Sequence, residues 1–273
     1  MNDMPADMNI LITNDDGYTS KGIRTLVEIM RRYGKVTVIA PKTHQSGMSV
    51  ALTLGSKAIA YKKLGERDGV SWAYVNGTPA SCVKFALDQV LPDRRCDVVV
   101  CGINHGANSS VATNYSGTMG AAEEAAINGI PAIGVSLCEY ADDADFSSVE
   151  KYFPGIFERL MQDWPERFGI SYNVNFPPSS IPVKGVRICH QGAGHWTKEL
   201  DPMEVDEFGF RGGDEGEAFY VMRGEFVDDA PDEDHMADHH AIRDGYVSIV
   251  PQTYDRTDYH ELARLSGRMD IDF

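Results

Sequence analysis

Three things are scarce in this chain. Positive charge is the first: 25 Lys and Arg stand against 41 Asp and Glu, a formal net charge of −16. Binders of long nucleic acid normally present a basic face, so this balance argues against DNA or RNA as partner. Long apolar runs are the second: nothing approaches the roughly 20 residues of a membrane span, so no membrane partner is expected. Cysteine is the third. The five cysteines are odd in number and show no CxxC spacing, which favours reduced, mostly buried thiols over disulfides or a zinc site. Met1–Asp7 lacks the charged-then-apolar layout of a signal segment, and a cytoplasmic location is the expectation. What is present is ordinary for a soluble globular protein: 273 residues, 42% hydrophobic and 24% charged, enough to bury a large core.

The first part of the chain alternates strand and helix patterns. Strands are predicted at Asn9–Thr13, Lys35–Ala40, Val98–Cys101 and Ala132–Leu137. Helices are predicted at Ser20–Arg32, Pro79–Val90, Gly117–Ile127 and Ser147–Met161. Ser20 suits an N-cap, Pro79 suits a first helical turn, and Ile23, Leu26, Val27 and Met30 recur at helical spacing. This rhythm predicts an α/β fold with a mostly parallel sheet and helices on both faces. Past Asn175 the rhythm changes. Pro177, Pro178 and Pro182 interrupt the chain, and Val186–His190, Ala218–Arg223 and Tyr246–Val250 read as strands without long helices between them. Two polar segments, Phe208–Glu217 and Asp228–Asp238, separate them. The expectation is one domain over 1–273, with an α/β core over 9–175 and a β-rich extension with arms over 176–273.

Candidate chemistry gathers at the carboxyl ends of the predicted strands, where open α/β sheets bind ligands. Asn14-Asp15-Asp16-Gly17 follows the first strand. A turn accounts for Asn14 and Gly17 but poorly for adjacent carboxylates, each of which raises the other's pKa. A hard divalent cation removes that penalty. Gly102-Ile103-Asn104-His105-Gly106-Ala107-Asn108 occupies the same topological position and offers neutral amide oxygens. Tyr115-Ser116-Gly117-Thr118 and Asn76-Gly77-Thr78-Pro79 each precede a helix. Either is a helix cap or an anion site, and Ser116 suits both. Pro41–Ser49, with Gln45-Ser46-Gly47, reads as a flexible loop.

In their order and spacing these motifs resemble the SurE family, the stationary-phase survival proteins. Asn173-Val174-Asn175-Phe176-Pro177 and Gly245-Tyr246-Val247-Ser248-Ile249 match as well, and the resemblance spans Asn9 to Asp258. It implies a Rossmann-like core whose C-terminal arms are exchanged between subunits of a homodimer or homotetramer. It implies one divalent metal per subunit, magnesium or manganese, on residues matching Asp15, Asp16, Ser46 and Asn104. It also implies that Asn14, Asn108, Ser116, Gly117 and Thr118 bind substrate. The implied reaction is hydrolysis of nucleoside 5′-monophosphates, and in some members 3′-monophosphates or short polyphosphate. Two departures bear on the rim. Lys42-Thr43 replace a frequent Asp-Arg pair, and Ser110-Val111-Ala112 replace a Gly-Asp-Asp run.

On chemical grounds Asp15 and Asp16 are the catalytic pair, with metal-activated water attacking phosphorus and one carboxylate assisting as base. Two rival readings stand beside this one. An aspartyl-phosphate-forming phosphatase would need two Asp separated by one residue, whereas here they are adjacent. A non-catalytic nucleotide- or metal-binding module could do without two carboxylates beside a phosphate. His44 and His105 lie beside the motifs, with a rim position expected for His105. His235, His239 and His240 invite a metal reading, but their acidic run, Asp232 to Asp244, reads as a solvated arm. Trp72 and Trp196 could stack a base but read as packing anchors.

Overall fold

The computed structural model describes residues 7–55, 58–91, 93, 95–203, 214, 216–266 and 268. The first strand, β1 (Met8–Thr13), is an apolar run buried on both faces, as a central parallel strand must be. Helix α1 (Lys21–Met30) follows, capped by the Ser20 hydroxyl, which accepts from the Ile23 N–H. Then come β2 (Gly34–Pro41), the hairpin strands β3 (Tyr61–Arg67) and β4 (Val70–Val75), and α2 (Pro79–Phe85), capped by Thr78 with Pro79 in its first turn. Next are β5 (Val98–His105), α3 (Gly117–Ile127) capped by Ser116, β6 (Ala132–Leu137), α4 (Ser147–Gln162) and β7 (Ile170–Phe176). The remaining elements are β8 (Gly185–Ile188), β9 (Gly194–Thr197), β10 (Leu200–Pro202), β11 (Tyr220–Met222), β12 (Glu225–Asp228), α5 (Asp238–Arg243), β13 (Tyr246–Thr253) and α6 (Tyr259–Ser266).

Among the described residues, nine strands form one sheet in the order β3-β4-β2-β1-β5-β6-β7-β13-β8. From β4 to β7 every neighbouring pair is parallel, and β3 and β13 pair antiparallel to β4 and β7. Alternation sorts the core into two layers. Ile10, Ile12, Val98 and Val100 face Ile23, Leu26, Phe153 and Phe157 of α1 and α4. Leu11, Val99 and Cys101 face Cys82, Val83, Ala121, Ala122 and Ala125 of α2 and α3. Each such fully buried large side chain is worth roughly 1.5–3 kcal/mol. The mostly parallel α/β sheet with helices on both faces is therefore as expected.

One topological fact positions the site. The chain leaves β1 for β2 on one side, and later returns to β5 on the other. The crevice between β1 and β5 is the switch point, where such sheets bind ligands at their carboxyl edge. β5 also slips register between Gly102 and Asn104 against β6. A bulge of this kind re-aims side chains next to a site.

The expected boundary at residue 175 does not divide the sheet. β8 and β13, from the presumed extension, are two of its strands. The arm is instead two small ribbons, β9 with β12 and β10 with β11. The solvated run around His239 is also corrected: within α5, Asp238, His240, Ala241 and Ile242 are buried. Asp238 is held there by N–H donors from Ser110, Gly192 and its neighbour His239, which a reading of charge density alone does not reveal. Phe208–Glu217 lies mostly outside the described residues.

Candidate active site

The turn leaving β1 is built by Asn14. Its Nδ2 donates to the Gly17 carbonyl at 3.1 Å and to Ser20 Oγ at 2.9 Å, and its Oδ1 accepts from the Gly17 N–H at 3.2 Å. The fully buried amide is thus spent on tying the loop to the start of α1. Asn14 shapes the loop that presents the two carboxylates.

Those carboxylates sit in different surroundings. Asp15 is buried, and its Oδ1 accepts from Thr118 Oγ1 at 2.6 Å. Burial first, and the Asp16 charge second, push its carboxyl up to about 6. Burial also raises Asp16, opposed by the nearby His105 and His44. His44 Nδ1 lies 3.4 Å from Asp16 Oδ1. Asp16 Oδ2 is buried and has no hydrogen-bond partner among the described residues. A buried carboxylate oxygen left without a donor costs free energy unless something positive meets it.

Neutral oxygen donors gather next to this pair. Asp15, Ser46, Asn104, Asn108 and Ser116 line one cavity of about 160 Å³. Asn104 Nδ2 is spent on the Gly106 carbonyl at 2.8 Å, which leaves Oδ1 for a ligand. Asn108 is braced from β6 and β7: its N–H donates to Asn175 Oδ1 and its Nδ2 to Ser136 Oγ. The Ser116 hydroxyl caps α3 by accepting from the Met119 N–H at 3.1 Å. Gly117 is where α3 meets the loop that follows β1. A Cβ there would lie 2.8 Å from Asp15 Cβ and 3.0 Å from Asp15 Oδ2. Thr118 is fully buried and bonds Asp15, so it positions the carboxylate instead of lining the cavity.

Two carboxylates, a hydroxyl and an amide oxygen form the donor set of a hard divalent cation. The partnerless Asp16 Oδ2 supplies the physical reason for one. The residues present therefore fit the metal that the motifs imply. A larger groove, about 460 Å³, opens by the starts of β1 and β2 near Trp72, away from these carboxylates. Trp196 packs edge-on to Phe226 on the arm. Both tryptophans are packing residues, as expected.

Comparison with known proteins identifies the family. The family described as "Survival protein SurE" matches residues 10–198. The chain belongs to the SurE family. Among curated SurE proteins, the 5′-nucleotidase SurE of Cytophaga hutchinsonii is 43% identical over 258 residues, covering 94% of this chain and 95% of the relative. That of Bacteroides fragilis is 40% identical, covering 94% of this chain and 96% of the relative. A crystal structure of the SurE protein from Aquifex aeolicus superposes with a TM-score of 0.75 at 28% identity, covering 95% of this chain and 98% of that one.

Sequence reasoning missed two rim residues. Tyr115 and Tyr140 line the cavity and are 61% and 76% exposed as residues, far more open than a packing role requires. Tyr115 stood inside a recognised SurE motif, which was a usable signal. Tyr140 lies in an unremarkable loop after β6, and only folding brings it over Gly106. His105 lies on the rim as expected, its Nδ1 2.9 Å from the Ala141 carbonyl oxygen.

Proposed function

We propose that this protein is a metal-dependent phosphomonoesterase that hydrolyses nucleoside 5′-monophosphates to nucleoside and phosphate. The observation that carries the reading is the pair of adjacent carboxylates at the β1–β5 switch point: Asp15 lines the polar cavity, and Asp16 beside it holds a buried oxygen with no hydrogen-bond partner among the described residues. Asp15, Asp16, Ser46 and Asn104 would hold one divalent ion, magnesium or manganese. Such an ion supplies positive charge against the phosphoryl oxygens.

The chain's own groups do the rest. The first N–H groups of α3, beside Ser116 and Gly117, point a helix N-terminus at the phosphate. Asn108 fixes the far side of the cavity. Thr118 occupies Asp15 Oδ1 and leaves Oδ2 beside Gly117. That oxygen is placed to take a proton from the attacking water. Exposed Tyr115 and Tyr140 offer ring faces to the nucleoside, which a cavity of this size leaves outside. Five free cysteines support the reducing cytoplasm as its place of action. Exposed Leu200, Tyr220 and Met222 on the β10–β11 ribbon support exchange of arms within a homodimer or homotetramer.

Phosphate release from AMP and GMP with manganese, with and without chelator, tests the reading; 3′-AMP and tripolyphosphate complete the panel. Activity should vanish with chelator and return with metal, and Asp15→Asn should lower turnover by orders of magnitude. No metal-dependent release from any ester would leave a binding module instead.

A further inference from the structure

A second group of ligating side chains lies outside the cleft. Asp228 ends β12, while His239 and His240 stand on α5. His239 Nε2 is 2.8 Å from Asp228 Oδ1, and His240 Nε2 is 2.7 Å from Asp228 Oδ2. One ligand atom from each residue lies within 4.8 Å of the other two.

Hydrogen-bond accounting shows what is missing between them. His240 is fully buried, and its Nδ1 lies 2.9 Å from the carbonyl oxygen of Asp234. A carbonyl only accepts, so Nδ1 carries the proton. In a neutral ring Nε2 then holds a lone pair, and it faces a carboxylate that also only accepts. Two acceptors at 2.7 Å need a positive centre between them. His239 Nε2 also faces Asp228, while its buried Nδ1 lies 3.5 Å from Asp238 Oδ1 and has no hydrogen-bond partner among the described residues. Metal-bound histidines typically turn their other ring nitrogen to a carbonyl or carboxylate, as His240 does. A proton alone would have to place positive charge on the fully buried His240 ring, 4.4 Å from the His239 ring. A single divalent ion meets all three ligands and keeps both rings neutral.

We propose that Asp228, His239 and His240 form a second cation site, selective for zinc-class ions, that clips the β9–β12 ribbon to α5. Two imidazoles and one carboxylate suit zinc, cobalt or nickel, whereas the all-oxygen set in the cleft suits magnesium or manganese. The two sites therefore sort metals by donor type. Asp228, a third exposed, is the member free to adjust and leaves room for a water ligand.

The test counts ions and so does not depend on catalysis. Full-length protein carrying Asp15→Asn and Asp16→Asn, stripped with chelator, is dialysed against micromolar zinc chloride in excess magnesium. One zinc per chain should remain, and cobalt(II) in its place should show the intense visible band of a low-coordinate nitrogen–oxygen site. Adding Asp228→Asn should weaken zinc binding by about 100-fold or more, a larger effect than loss of an outer partner. His239→Gln should do the same, and the far-ultraviolet spectrum should stay unchanged in both. Zinc should also raise the melting temperature only where all three ligands remain. The proposal is overturned if the cleft-disabled protein retains no zinc, or if Asp228→Asn and His239→Gln, both folded, bind it as tightly as their parent.

Discussion

Gly117→Ala is the sharpest test of how the cleft is assembled. The backbone at Gly117 is one that any L-residue adopts, so alanine is locally allowed. At the start of α3 it gains at most about 1 kcal/mol of helix propensity. Its Cβ, however, would lie 2.8 Å from Asp15 Cβ, 3.0 Å from Asp15 Oδ2 and 3.1 Å from the Gln45 carbonyl. Carbon atoms pack at about 3.5–4.0 Å, so Asp15 or the α3 terminus must retreat by roughly 0.7 Å. Overpacking of this kind costs about 1–3 kcal/mol. Net destabilisation should then be about 1–2 kcal/mol, within what a domain of this size survives. The functional cost should be larger, because a displacement near 1 Å at the reacting centre can lower turnover by about 100-fold. Urea denaturation and steady-state hydrolysis of AMP at saturating manganese measure the two separately. A Gly117→Ala enzyme with wild-type kcat and unchanged manganese requirement would refute the placement of Asp15 against the head of α3.

Other expectations follow from the same contacts. Thr118→Val deletes a 2.6 Å bond to the buried Asp15 carboxylate. Bonds to charged groups are worth about 1.5–3 kcal/mol, so the manganese concentration for half-maximal activity should rise roughly 10-fold or more. Asp15, raised to about 6 by burial, binds more protons folded than unfolded. Its contribution to stability is therefore greatest in acid and is lost as pH rises through 6, by roughly 3 kcal/mol in the metal-free protein. Thermal unfolding should show a larger stabilisation by manganese at pH 7.5 than at pH 5, a difference that Asp15→Asn removes. At Gly22, where α1 meets the bulge in β5, an added Cβ would lie 2.1 Å from the Ile103 carbonyl. Gly22→Ala should destabilise by about 1–3 kcal/mol or fail to fold, as urea midpoints or soluble yield would show.

Much of this was legible before folding. The buried strands β1, β2, β5 and β6 announced themselves as short apolar runs, and Ser20, Thr78 and Ser116 announced the helices they cap. β3, β4 and β7 gave a weaker signal. β3 carries Lys62, Lys63, Glu66 and Arg67 on a sheet edge, where charge is tolerated and the apolar pattern fades. β7 carries Asn173 and Asn175, which look like loop residues until their amides are seen bracing Asn108. The motifs named the residues of the cleft, because chemistry-bearing side chains at strand ends are local features of the chain.

By itself the sequence determined the alternation of elements, the excess of negative charge and which oxygen-bearing side chains stand at the strand ends, since each depends on near neighbours. Tertiary structure alone decided which of those donors share a cavity, which stay inside the framework as Asn14 and Thr118 do, and that His240 lies buried against Asp228. Burial and long-range pairing are properties of where distant segments meet. The same aspartate or histidine therefore reads identically in sequence whether water or a neighbouring strand surrounds it.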